Sequence, residues 1–168
     1  MNPVRVTAPA SPVVAVADLR AHLRVDQDFD DLVIEAYEAA AVALLDGYRG
    51  ILGRCILEQE WAVTYDQAGT YRLPLPDVSA VVAVDADSDP VVATLTHDGM
   101  GSCVEIEAAA TVTMTCALPA ESLPVVVMAV KLLVGHWYAN REAVAVGSMS
   151  EVPLAFDALV SPLRRWAV

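Results

Sequence analysis

Two runs of alternating aspartates carry the clearest chemical potential in this chain: Asp26-Gln27-Asp28-Phe29-Asp30 and Asp85-Ala86-Asp87-Ser88-Asp89. Carboxylates spaced by two begin a calcium loop, but an EF-hand also requires glycine at its sixth position and glutamate at its twelfth. Counting from Asp26 gives Asp31 and Tyr37, and counting from Asp85 gives Pro90 and Thr96. Both runs fail, so the first reads as a helix start and the second as a hairpin turn with at most a weak incidental cation site. Zinc needs Cys and His at short spacings. His22, His97 and His136 lie far apart, as do Cys55, Cys103 and Cys116. Gly99-Met100-Gly101 lacks the third glycine and the following helix of a dinucleotide fingerprint and reads as a turn. No nucleophile elbow, phosphate loop or Cys–His pattern is present. Among the many carboxylates, no spacing singles out an acid–base pair. A small carboxylate-dependent hydrolase is therefore a weak alternative. The expectation is no enzyme, with no catalytic residue, metal or cofactor.

Composition points to burial beyond a single core. Hydrophobic residues make up 56% of the 168 residues and charged ones 19%, against roughly 45–50% and 25% in an ordinary soluble domain. The length suits one domain, residues 1–168. The net charge is -12 and is unevenly spread. From Asp26 to Asp46 there are seven acids and no Lys or Arg, and from Cys55 to Ala117 ten acids and one Arg. Gripping nucleic acid requires clustered cations, so sequence-specific DNA binding is not expected. The acids suit solubility, or a wall past which DNA slides; Asp26, Asp28, Asp30, Asp31, Asp85, Asp87 and Asp89 are the candidates for such a wall. Three scattered cysteines read as reduced, packed thiols of a cytosolic protein. The N-terminus has no continuous apolar stretch of the secretory kind. The apolar run Val125–Val134 is shorter than the roughly 20 residues of a membrane span, and no membrane partner is expected.

The elements that would position these groups follow from periodicity. Residues 1–14 read as an extended arm, with Pro3, Pro9 and Pro12 opposing helix. Residues 15–53 read as two helices. The first presents Val16, Leu19 and Leu23 on one face. The second starts at Asp28 as cap, with Asp30 and Asp31 in its first turn. Its inward stripe is expected to be Phe29, Leu32, Val33, Ala36, Ala40, Ala43, Leu44 and Gly47. The small run Ala39–Ala43 would let another backbone approach closely. Residues 55–117 read as an inserted antiparallel meander of short strands, with Trp61 one step out of phase and a bulge there. Residues 124–141 form a central helix in which Lys131 is the only charge before Arg141. A helix apolar nearly all round must be buried on nearly every side. Its far face, with Val130, Val134, His136, Trp137, Tyr138, Asn140, Arg141 and Glu142, is expected to meet neighbouring subunits. Trp137 and Tyr138 fit core packing equally well. Residues 142–168 read as a loop, then a short helix from Pro153 to Ser161. Phe156 and Trp166 read as interface residues, and Arg164 and Arg165 as partners for a neighbour's carboxylates. The expected class is α+β: mainly a helical bundle with an inserted small meander and a C-terminal arm.

Four segments resemble one family in order. They are Ala21-His22-Leu23-Arg24-Val25-Asp26 with the acidic-capped helix after it, the Leu73-Pro74-Leu75-Pro76 turn, Leu132 to Glu142, and Val152 to Arg164. The order resembles the head–tail connector (adaptor) proteins of tailed phages and gene transfer agents. The 78–117 region departs from that pattern. The resemblance implies a virion protein of the head–tail junction, made in the host cytoplasm. It implies a ring, typically a dodecamer, that continues the DNA channel below the portal protein and meets the next tail or stopper protein. It also implies portal binding by the C-terminal segment: Pro153, Leu154, Phe156, Leu159, Leu163, Arg164, Arg165 and Trp166. A head-completion stopper or tail terminator ring is the nearest alternative.

Overall fold

A computed structural model describes residues 2–26, 28–141 and 154–165. Among the described residues, eight strands and four helices follow in the order β1 (Val4–Thr7), α1 (Val16–Leu23), α2 (Asp31–Leu45), β2 (Gln59–Tyr65), β3 (Gly69–Arg72), β4 (Val78–Val84), β5 (Pro90–Val91), β6 (Ala93–Asp98), β7 (Gly101–Ile106), β8 (Ala110–Cys116), α3 (Leu123–Ala139) and α4 (Leu154–Val160). The expectation of a mainly helical bundle is overturned: 37% of the structure is helix and 29% strand, arranged as two antiparallel sheets beside four helices.

The strands do not form a meander either. One sheet has the order β1-β2-β8-β4-β5 and the other β3-β7-β6. The last strand, β8, enters between β2 and β4, pairing Trp61 with Met114 on one side and Val81 with Met114 on the other. Such an insertion is a long-range event that local periodicity does not register. The arm contributes β1, whose Val4 and Arg5 pair with Ala62 and Trp61. Trp61 is in phase after all. Strands β2 and β8 run through seven consecutive pairs with no shift, so Gln59, Trp61, Val63 and Tyr65 share one face. The irregularities lie in β1, between Arg5 and Thr7, and in β4, between Val78 and Ala80.

Two buried clusters result. The sheets enclose Val63, Ala83, Val104, Ile106, Val112 and Met114 between them. The helices enclose Leu19, Ile34, Leu45, Val130, Leu133 and Phe156. Helix α3 is the middle of the second cluster, burying Val126, Ala129, Val130, Leu133 and Val134. With the turn before it, the helical stretch Ala120–Ala139 has mean hydropathy 1.4 and is long and apolar enough, by length and composition alone, to cross a membrane. Its buried side chains pack on α1, α2 and α4.

Helix α2 departs from its expected orientation. Its buried residues are Ile34, Glu38, Ala41 and Leu45, while Phe29 is 86% and Leu32 81% exposed. Glu38 turns inward because its Oε1 accepts the backbone N–H groups of Val13, at 2.9 Å, and Val14, at 3.2 Å. A carboxylate that satisfies two buried donors can displace an apolar residue from the inward face. Asp28–Asp30 form a separate 3₁₀ turn, and Asp30 makes no side-chain cap.

Candidate functional site

The end of α3, expected to contact a neighbour, is held within the chain. The Tyr138 hydroxyl donates to Asp30 Oδ2 at 2.5 Å, and Arg141 Nη2 donates to the same oxygen at 2.7 Å. The Arg141 guanidinium also lies 4.3 Å from the centre of the Tyr138 ring, a cation–π distance. The Tyr138 hydrogen bond and the Arg141 partner hold the Asp30 carboxyl below the usual carboxylate range, and the Tyr138 hydroxyl is pushed up in return. Two charge-assisted bonds are stronger than a helix cap, and the Asp30 carboxylate, at the N-cap position of α2, makes them instead of a cap. Trp137 packs 6.3 Å from Tyr37. The Asn140 side chain caps the helix end through the carbonyl of His136 at 2.8 Å. Val130 and Val134 are wholly buried in the chain's own core, and His136 is half-buried. Glu142 lies outside the described residues.

The C-terminal helix is docked as well. Phe156 and Val160 of α4 are buried in the helical core, with Leu159 and Leu163 half-buried against it. Arg165 donates its backbone N–H to the carbonyl of Leu52 at 2.9 Å and its Nη1 to the carbonyl of Pro74. Burial is the main cause that lowers the Arg165 pKa. Arg54 forms a two-bond pair with Asp77 at 2.7 and 2.8 Å and reaches the Leu163 carbonyl at 3.4 Å. Arg164 pairs with Asp157 at 3.3 Å. Of the residues expected at the portal, Phe156 and Arg165 are thus engaged inside the chain. Leu154 opens α4, while Pro153 and Trp166 lie outside the described residues.

The aspartate runs separate. Asp26 and Asp28 are exposed. Asp30 is engaged as above, and Asp31 pairs with Arg20 at 3.5 Å. At the β5 edge of the five-stranded sheet, Asp85 Oδ1 accepts the backbone N–H groups of Asp87 and Asp89, both at 2.9 Å. Asp85 therefore builds the turn between β4 and β5, and Asp87 and Asp89 stay exposed. Among the described residues, no group of three Asp, Glu, His or Cys side chains is arranged to hold a metal ion. Asp98 also has a lowered pKa, about 2, chiefly through its hydrogen bond with Arg72. A general acid needs the opposite shift.

The surface with the strongest binding character is one the sequence reading turned inward. The outer face of α2 exposes Leu32, Ala36, Ala40, Ala43 and Leu44. Beside it, a groove of about 660 Å³ runs between α2 and β1, with Ala39, Val42, Ala43, Pro9 and Trp61 in its lining. A polar hub fixes its floor. Asp46 accepts the backbone N–H of Ile56 at 2.7 Å and Gln59 Nε2 at 2.9 Å, and the Trp61 indole N–H donates to Gln59 Oε1 at 3.1 Å. Gly47 has φ +77°, and a Cβ there would stand 2.9 Å from the Trp61 ring. Only glycine gives both that conformation and that approach. The signal available beforehand was the small-residue run Ala39–Ala43.

One further pair is invisible in the sequence. Cys55 and Cys116, both buried, bring their sulfurs to 2.7 Å as free thiols. Hydrogen bonding to Cys116 and burial push the Cys55 thiol well above the usual range.

No known family model matches the chain, and no curated protein does. Solved structures do share its fold. The chain is similar, at 22% identity and TM-score 0.73, to one in the neck of an empty gene transfer agent (GTA) particle treated with C6 symmetry. It is similar at 22% identity to a chain in the virion of a native GTA particle, TM-score 0.69, and to one in the neck of a native GTA particle treated with C12 symmetry, TM-score 0.68. Each match covers 100% of this chain and 97% of the other. The likeness defines the fold: two antiparallel sheets joined to a helical layer, end to end as in those neck chains.

Proposed function

We propose that this chain is a structural virion protein of a particle neck: a head–tail connector that forms a ring below the portal, continues the DNA channel and joins capsid to tail. The observation that carries this reading is the full-length fold match to chains of GTA necks and virions. The exposed apolar face of α2 supports it, because such a face requires a covering partner. The C6 and C12 symmetries of the neck structures support a ring. The exposed Asp26 and Asp28 are the acids we assign to a channel wall, since Asp30 and Asp31 are paired within the chain.

The C-terminal segment is the portal-facing element in this reading. With Phe156 buried and Arg165 tied to Pro74, the docked helix itself presents Leu159, Leu163 and Arg164. Leu159→Glu with Arg164→Glu, which leaves the buried Phe156 and Val160 in place, is expected to stay folded by circular dichroism and to lose portal binding in a co-sedimentation assay. Portal binding equal to that of the intact chain would overturn the role of this segment. A stopper or tail terminator would bind a neighbouring neck or tail component but not the portal, so the same assay with intact protein separates those readings.

A further inference from the structure

The five-stranded sheet has two unlike edges. At the β1 edge lies the apolar groove against α2, whose mouth carries two arginines, Arg5 and Arg49. Arg5 keeps 48% of its side chain exposed and touches Asp46 only at 3.8 Å, and Arg49 is exposed. The two acids lining the groove do not offset them at its surface. Glu38 is 8% exposed, its carboxylate taken by Val13 and Val14, and Asp46 is taken by the hub. The groove therefore offers an apolar floor with a cationic rim.

The β5 edge is its complement. The β4–β5 turn presents Asp87 and Asp89 on a backbone held by Asp85. Beside it stand Val92, 60% exposed, and Val82, 65% exposed. Glu107, exposed, is joined to this edge through its N–H to the carbonyl of Val92 at 3.3 Å. No cation lies between Val78 and Ala117 in the sequence. Pro90 removes a donor from β5, which blocks simple extension of the sheet by another strand. The edge is shaped to insert a turn rather than to pair a strand.

We propose that the groove between β1 and α2 receives the β4–β5 turn of a second copy of this chain, Arg5 and Arg49 meeting Asp87 and Asp89 while Val92 covers the apolar floor. The contact is head-to-tail: it joins two different edges of identical chains. Repeated by a rotation that closes, a contact of that kind builds a ring. The inference rests on the ring reading given above and names the surfaces that would build it. Its charge pairs sit at the rim, so added salt weakens the contact.

The test uses two full-length variants, Arg5→Glu with Arg49→Glu, and Asp87→Arg with Asp89→Arg, followed by sedimentation velocity and native mass spectrometry. Circular dichroism checks that each stays folded. Each variant alone places like charges in the contact and should weaken self-association by roughly tenfold or more. An equimolar mixture should recover it, because the reversed groove then faces the reversed turn while the native groove faces the native turn. Variants that associate as the wild type does would overturn the contact and leave the ring reading standing. Weakening without recovery in the mixture would mean that groove and turn do not meet, which also overturns it. Failure of the unaltered chain to self-associate at any concentration would overturn the contact and the ring reading together.

Discussion

On the helical side, four arginines close the chain upon itself. Arg20 pairs with Asp31, Arg141 with Asp30 and Arg54 with Asp77, and Arg165 holds the C-terminal helix to Pro74. Beyond Arg5 on the β1 edge, the described strands carry one arginine, Arg72, and it is spent on Asp98. Four of their acids, Asp87, Asp89, Glu105 and Glu107, stay exposed. Both halves bury a continuous apolar cluster, so burial alone does not distinguish them. The distribution of cations does. It leaves the helical side apolar at its surface and the far sheet edge acidic, and an asymmetric molecule of this kind suits a head-to-tail assembly.

The largest expected effects come from breaking each cluster in turn. Leu133→Ala in the helical cluster and Met114→Ala in the sheet cluster, both at fully or nearly fully buried positions, should each cost about 2–5 kcal/mol. Because β2, the Asp46–Gln59 hub and the Arg54–Asp77 pair join the halves, chemical denaturation of both variants should show one transition. Two transitions, with each substitution moving only its own, would divide the halves into independent units.

A smaller effect is expected at the hub. Gln59 is 1% exposed and bonded to both Asp46 and Trp61. Gln59→Ala strands those partners and should cost about 1–3 kcal/mol by equilibrium urea unfolding. A neutral result would remove the hub as a link between helices and sheets.

Acid titration sharpens the electrostatic contrast. Asp98 has its carboxyl lowered to about 2 by Arg72 and by the N–H of Met100, below the unfolded value of about 3.9. A depressed folded pKa contributes stability that is present above the unfolded value and is lost as pH falls through the folded one. Between about pH 4 and 2, Asp98→Asn should therefore lose less stability than the unaltered chain. Identical acid limbs in thermal melts would show that the pair contributes nothing. The smallest effect concerns Cys55. With its thiol buried and its pKa raised, it should resist alkylation at neutral pH in the native state and react on unfolding. Rapid native labelling at Cys55, located by peptide mass spectrometry, would contradict the packed thiol pair.

Local elements were legible where periodicity and turn chemistry agree. The helical stretch after Pro124, the short helix around Leu19 and the turn at Asp85–Asp89 all stand where spacing and composition place them. The stretch from Val91 to Thr96 divides at Val92 into β5 and β6. What the residues do not announce is non-local. The insertion of β8 between β2 and β4, the meeting of Cys55 with Cys116 and the grip of Arg165 on Pro74 each join segments distant in sequence. The orientation of α2 was misread for a physical reason: apolar residues at helical spacing put Phe29 and Leu32 inside. Two backbone donors at Val13 and Val14 drew Glu38 in and turned the apolar face outward. That misreading concealed the surface with the strongest binding character.

The central claim is that this chain builds a ring in a particle neck. Electron microscopy of particles in which the chain carries a rigid tag after residue 168 tests it most directly. The account predicts tag density in a ring between the portal and the tail, repeated with the symmetry of that ring. Tag density on the capsid shell or along the tail tube, or particles assembled in full without the chain, would contradict it.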